Sequence, residues 1–183
     1  MINTKLIKME ENEAFALEMA SKIWKDGGLV AFPTETVYGL GANGLDEQAA
    51  VKIYAAKGRP SDNPLILHIA QKRQVRPLVK EISKVGEQLM DTFWPGPLTL
   101  IFPKADCVPY KTTGGLDTVA IRMPSHLQAR KLLEAVQLPI AAPSANLSGR
   151  PSPTTASHVW EDMNGRIDLI VDGGAVGIGV EST

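Results

Sequence analysis

Gly27-Gly-Leu-Val-Ala-Phe-Pro33 settles how the chain is built. The paired glycines stop a helix. Leu29 to Phe32 is a short apolar run that suits a buried strand, and Pro33 hands the chain to a loop. Upstream, Glu13 to Lys25 carries Phe15, Met19 and Ile23 on one helical stripe, with Ala16, Ala20 and Trp24 beside it. Downstream, past the segment Thr34 to Gly44, Asp46 is placed to N-cap a helix through Ala49, Ala50, Ile53 and Tyr54. That helix runs out at Lys57-Gly58 before Pro60.

The alternation continues. Pro64 precedes a strand over Leu65 to Ile69, with His68 near its far end. Helical spacing returns between Val75 and Phe93, and Pro95-Gly96-Pro97 ends it. Leu98 to Phe102 reads as a buried strand. Thr118 to Met123, after Gly114-Gly115, reads as a strand exposing Arg122 on one face. His126 to Val136 is amphipathic, Pro139 to Ala142 is a short strand, and Thr154-Thr155 caps a helix to about Met163. Ile167 to Val171 is a last strand before the Gly173-Gly174 turn. Interleaved strands and helices predict an α/β fold, a twisted sheet with helices packed on it.

At 183 residues and 44% hydrophobic, the chain suits one domain. With 19 Lys+Arg against 20 Asp+Glu, no global field draws it to nucleic acid or an anionic membrane, so any basic site is local. Cys107 is the only cysteine, which excludes an internal disulfide and fits a reducing, cytoplasmic setting. Met1 to Glu10 lacks an apolar signal core, and no stretch approaches the ~20 apolar residues of a membrane span. A soluble cytoplasmic protein is expected.

Gly39-Leu-Gly-Ala-Asn-Gly44 has the spacing of a dinucleotide-binding loop, with Asp62 at about the expected distance. The context is wrong, because Pro33 to Tyr38 separate the strand from the first glycine and Asp62 precedes a strand. The phosphate-loop, zinc-hydrolase and serine-hydrolase signatures are missing. His68, His126 and His158 fall in different elements, and the latter two read as surface helix positions.

Polar residues hemmed by Gly and Pro stand out instead. Lys57 and Arg59 offer a point charge and a planar fork, which suit a triphosphate; a helix end that favours cations explains them equally well. Ser144 and Asn146, between Pro143 and Gly149, can donate to phosphate oxygens or a ribose, and they also make ordinary turns. Arg122 interrupts an apolar strand and wants an anionic partner.

Together these residues resemble the YrdC-like threonylcarbamoyl-adenylate synthases. The resemblance runs through Ala31-Phe-Pro-Thr-Glu-Thr-Val-Tyr-Gly-Leu-Gly41, Lys57-Gly-Arg-Pro60, Asn63-Pro-Leu65, His68-Ile69 and Trp94-Pro-Gly-Pro-Leu-Thr99. It continues in Val119-Ala-Ile-Arg-Met-Pro124, Ala142-Pro-Ser-Ala-Asn146 and Asp172-Gly-Gly174. It implies a YrdC/RibB-like fold, an open, twisted sheet of parallel and antiparallel strands with flanking helices and a concave cationic cleft.

The resemblance further implies that Thr36, His68, Arg122 and the backbone near Ala142 hold L-threonine. Arg59, Asn63, Thr118, Ser144, Asn146 and Ser152 would hold ATP, with Lys57 on its phosphates and Lys57 and Arg59 as the catalytic cations. Mg²⁺ would arrive with ATP, and no metal site built from protein side chains is expected. Threonine, bicarbonate and ATP would yield threonylcarbamoyl-AMP and pyrophosphate, the first step of threonylcarbamoyladenosine modification of tRNA. A downstream tRNA threonylcarbamoyl transferase machinery would take the product.

The alternative is a module that binds RNA weakly on a cationic concave face, which net charge disfavours and a salt titration tests. Long family members continue beyond Glu181-Ser-Thr183 with a linker and a second small domain. The expectation is therefore a single catalytic domain over residues 1–183, without those parts.

Overall fold

Asp46 caps its helix as the sequence predicts, its Oδ1 accepting from the backbone N–H groups of Gln48 and Ala49. In the computed structural model, which describes residues 1–183, that helix is α2 (Glu47–Lys57). It ends at Gly58, whose left-handed φ of 62° suits glycine. Before it come β1 (Lys5–Lys8), α1 (Glu13–Lys25), β2 (Val30–Pro33) and β3 (Tyr38–Asn43). After it follow β4 (Ile66–His68), two 3-10 turns, α3 (Lys84–Phe93), β5 (Thr99–Pro103), α4 (Tyr110–Thr113) and β6 (Thr118–Arg122). The chain closes with α5 (Leu127–Val136), β7 (Ile140–Ala141), α6 (Ala156–Met163) and β8 (Leu169–Asp172).

The strands form one sheet in the order β1-β8-β2-β3-β7-β4-β6-β5. β1, β8 and β2 run parallel, as do β4 and β6, while the β2–β3, β3–β7, β7–β4 and β6–β5 pairs are antiparallel. The expected mixed open sheet with flanking helices is present. Two apolar layers cover its faces. Val30 and Phe32 of β2 pack with Trp24 of α1 and Leu132 and Leu133 of α5, while Ala31 packs with Ile53 of α2 and Ile170 of β8. Period-two alternation with both faces buried is why this segment reads as a continuous apolar run.

Four local readings need correction. On α1 the buried face is Ala16, Ala20 and Trp24, and Phe15 is half exposed, because small residues let the helix sit close to the sheet. The Gly39–Gly44 stretch contains a strand, β3, where glycine is a packing requirement. A Cβ at Gly41 would lie 2.7 Å from Ile140 Cγ2 and 2.9 Å from Phe32 Cε1. β5 lies at the edge of the sheet and exposes Ile101, where the sequence suggested a buried strand. Arg122 is buried, not exposed. No helix is long and apolar enough to cross a membrane.

Candidate active site

Where β2 ends, Thr34 builds a tight turn. Its Oγ1 donates to the Val37 carbonyl at 2.7 Å and accepts from the backbone N–H groups of Thr36 and Val37. The turn fixes the Thr36 side chain over the end of the sheet. There β4 and β6 lie parallel with His68 directly opposite Arg122, and Ala142 follows β7. These four residues share a cleft of about 190 Å³ with Arg59 and Ser144.

Arg122 is held on three sides. Its Nε donates to the Gly96 carbonyl at 3.2 Å, Nη1 donates to Thr36 Oγ1 at 3.2 Å, and Nη2 pairs with Glu35 Oε1. The Gly96 backbone can take this position because glycine has no Cβ, which here would lie 2.5 Å from the Phe93 carbonyl oxygen. Burial lowers the Arg122 guanidinium from its ordinary value, and the Glu35 charge opposes that shift. The Glu35 carboxyl would be raised by burial, but bonds from Ser125 and the Arg122 charge hold it below the usual carboxylate range. His68 is enclosed, and burial beside Arg122 pushes its imidazole down to about 4, so it is neutral near pH 7. Nδ1 sits 3.0 Å from the Ile66 carbonyl, which places the imidazole proton there.

Lys57 ends α2 pointing inward. Its ammonium donates to the Ser144 carbonyl, to the Asn146 carbonyl at 2.6 Å and to Asn146 Oδ1 at 3.3 Å. All three N–H groups are engaged, so contact between Lys57 and a phosphate requires exchanging one of these partners. Burial, then Arg59, brings the ammonium down to about 8. Arg59 donates to the Pro64 carbonyl at 3.2 Å, and its buried Nε has no partner.

The remaining expected nucleotide residues are more dispersed. Asn146 is buried, its Nδ2 donating to the Leu147 and Arg150 carbonyls. Ser152 reaches the cleft through Glu181, to which its hydroxyl donates. Asn63 is exposed in the loop before β4, and Thr118 is exposed at the far end of β6 from Arg122; neither lines the cleft.

Several residues in or beside the cleft had no role assigned from sequence. Thr34, which lines it, and Glu35, which reaches it only through Arg122, lie inside the Ala31–Gly41 motif, and Glu181 and Ser182 lie in the terminal Glu-Ser-Thr. Residues 176–183 strap across the site. Val176, Ile178 and Gly179 donate backbone N–H to the carbonyls of Thr154, Glu35 and Thr36, and Thr183 pairs with Pro97 and Thr99. A larger hollow of about 600 Å³ opens at the opposite ends of β2 and β8. Two of its polar side chains serve the backbone, Lys52 bonding the Gly27 carbonyl and Asp168 accepting from the Leu29 N–H.

Residues 22–183 match the family model Sua5_yciO_yrdC, described as "Telomere recombination". The chain belongs to this family. Within it, the threonylcarbamoyl-AMP synthase of Pyrococcus abyssi is 59% identical over 174 residues, covering 95% of this chain and 51% of that protein. The Bacillus subtilis threonylcarbamoyl-AMP synthase is 57% identical over 168 residues, covering 91% of this chain and 49% of that protein. The crystal structure of P. abyssi Sua5 complexed with L-threonine matches with a TM-score of 0.91 at 57% identity, over 100% of this chain and 53% of that one. Escherichia coli YciO, at 24% identity and a TM-score of 0.82, shares the fold. The chain spans about half the length of the curated relatives it matches.

Proposed function

We propose that this domain binds L-threonine and ATP and forms threonylcarbamoyl-AMP with release of pyrophosphate. The observation that carries the reading is the convergence of Arg122, Thr36, His68 and Ala142 on one small cleft. A buried guanidinium with free N–H groups is suited to a carboxylate, and neutral acceptors beside it are suited to an amine and a hydroxyl. The names of the relatives at 57–59% identity support the same substrates.

In this reading Arg122 takes the threonine carboxylate, while Thr36, His68 and the Ala142 backbone orient the remainder. The amine adds to carbon dioxide and gives up a proton, or reacts with bicarbonate and expels water; an oxygen of the resulting carbamate attacks the α-phosphorus, expelling pyrophosphate. No covalent intermediate with the protein is required. Arg59, with its unpartnered Nε–H, and Ser144 face the nucleotide. Lys57 holds the Ser144–Asn146 turn and supplies charge behind it.

Mg²⁺ enters as part of the ATP substrate and supplies charge neutralisation on its phosphates. Glu181 is the one carboxylate among the cleft-lining residues and would be the side chain available to the ion, whose chemistry there would be neutralisation of phosphate charge. The product then passes to a transferase acting on tRNA.

The test is pyrophosphate release with each component omitted in turn. Release is expected only with ATP, L-threonine and bicarbonate together. Equal release without threonine would exclude the reading.

A further inference from the structure

We propose that Glu35 positions Arg122 and thereby sets the affinity of the cleft for a substrate carboxylate. The proposal rests on the reading of the cleft as a threonine site. Arg122 carries five N–H donors. Three are engaged, by the Gly96 carbonyl, Thr36 Oγ1 and Glu35 Oε1. The two that remain, one on each terminal nitrogen, are what the guanidinium can offer an incoming carboxylate. Their direction is fixed only if the group cannot rotate about its stem.

Glu35 supplies the charged clamp that prevents rotation, and it is clamped in turn. Its other oxygen, Oε2, accepts from the Ser125 backbone N–H at 2.6 Å and from the Ser125 hydroxyl. The carboxylate therefore ties the end of β6 to the chain just before α5. Glu35 does not line the cleft, and its side chain is 13% exposed, so it acts through Arg122. Its charge also offsets that of Arg122. The site thus recognises a carboxylate by fixed hydrogen-bond geometry more than by net positive potential, which suits a zwitterionic amino acid over a bare anion.

The chemistry of the clamp distinguishes close substitutes. Both Glu35 oxygens must accept, one at each end. In Glu35→Gln the NH₂ group faces either the guanidinium or the Ser125 N–H, donor against donor, so one end opens. Glu35→Asp keeps both acceptors on a shorter stem.

The experiment is calorimetric titration of the 183-residue chain with L-threonine and, separately, with ATP. Glu35→Gln is expected to weaken threonine binding by about tenfold, the scale of one charge-assisted bond, with ATP affinity within about twofold of wild type. Glu35→Asp should recover part of the loss. Ser125→Ala changes an exposed residue and retains the backbone donor, and it should weaken threonine binding by about two- to threefold. It serves as the second probe if Glu35→Gln does not fold. Threonine affinity unchanged or tighter in Glu35→Gln would overturn the proposal, as would parallel losses for threonine and ATP. Absence of threonine binding by the wild-type chain would instead count against the threonine reading itself.

Discussion

The ammonium of Lys57 lies 2.6 Å from the carbonyl oxygen of Asn146, so the last residue of α2 holds together the turn that presents Ser144 to the cleft. Lys57→Met keeps the length of the stem and removes the charge, leaving the Ser144 and Asn146 carbonyls without their donor. A loss of about 2–3 kcal/mol is expected from urea unfolding, accompanied by weaker ATP binding. Wild-type stability would mean that the turn holds itself.

Arg59 is bound more loosely, donating to carbonyls at 3.2 and 3.5 Å in a surface loop. Its removal should leave the fold intact while lowering kcat/KM for ATP by about 100-fold, about 2.7 kcal/mol of transition-state stabilisation. Pyrophosphate release gives the rate and thermal unfolding the control. Turnover equal to wild type in Arg59→Ala would remove Arg59 from the phosphate site.

His68 links stability to pH. Its folded value of about 4 lies below the ordinary 6.5, so as pH falls the unfolded chain takes up the proton first. The contribution is full above pH 6.5, declines between 6.5 and 4, and changes no further below that. It amounts to about 3 kcal/mol across the window. Urea unfolding at several pH values should show this slope, and His68→Gln should flatten it. The same slope in both proteins would assign the effect to other groups.

Gly41 and Gly177 should respond oppositely to alanine. Gly41→Ala drives a methyl against Ile140 and Phe32 between β3 and its neighbours, for a loss of about 1–3 kcal/mol. At Gly177 nothing lies within 4 Å of a Cβ and φ is not left-handed. Alanine there should be neutral or stabilising by up to about 1 kcal/mol, through the unfolded state. Comparable losses at both positions would contradict the packing account of β3.

Local chemistry was legible in the sequence where it decides structure locally. Asp46, Gly58 and Thr155 cap helices from within a few residues, and both bounds of α1 follow from its periodicity and the glycines after it. What was hidden depends on partners far along the chain. β3 is rich in glycine and has low intrinsic strand preference. It forms by antiparallel pairing with β2 and β7, and Ile140 and Phe32 leave no room for a side chain at Gly41. β1, Lys5–Lys8, alternates too briefly to stand out and is recruited by parallel pairing with β8. Arg122 reads as exposed on strand alternation alone, because its counter-charge, Glu35, lies 87 residues earlier. The threonine-site expectations fell on residues that share the cleft. The nucleotide set was more scattered, since Ser and Asn in a turn look alike whether they face a ligand or brace the loop, as Asn146 does.

The contacts that shape the cleft join distant parts of the chain. Thr36 and Arg122 are 86 residues apart, Lys57 and Asn146 are 89, and Ser125 and Glu35 are 90. The site is built only from contacts of long sequence separation, each carrying a loop-closure cost. A ligand that fits it grips the ends of nearly the whole polypeptide at once. Its binding energy therefore appears as resistance to global unfolding and to proteolysis throughout the domain, not as the stiffening of one loop.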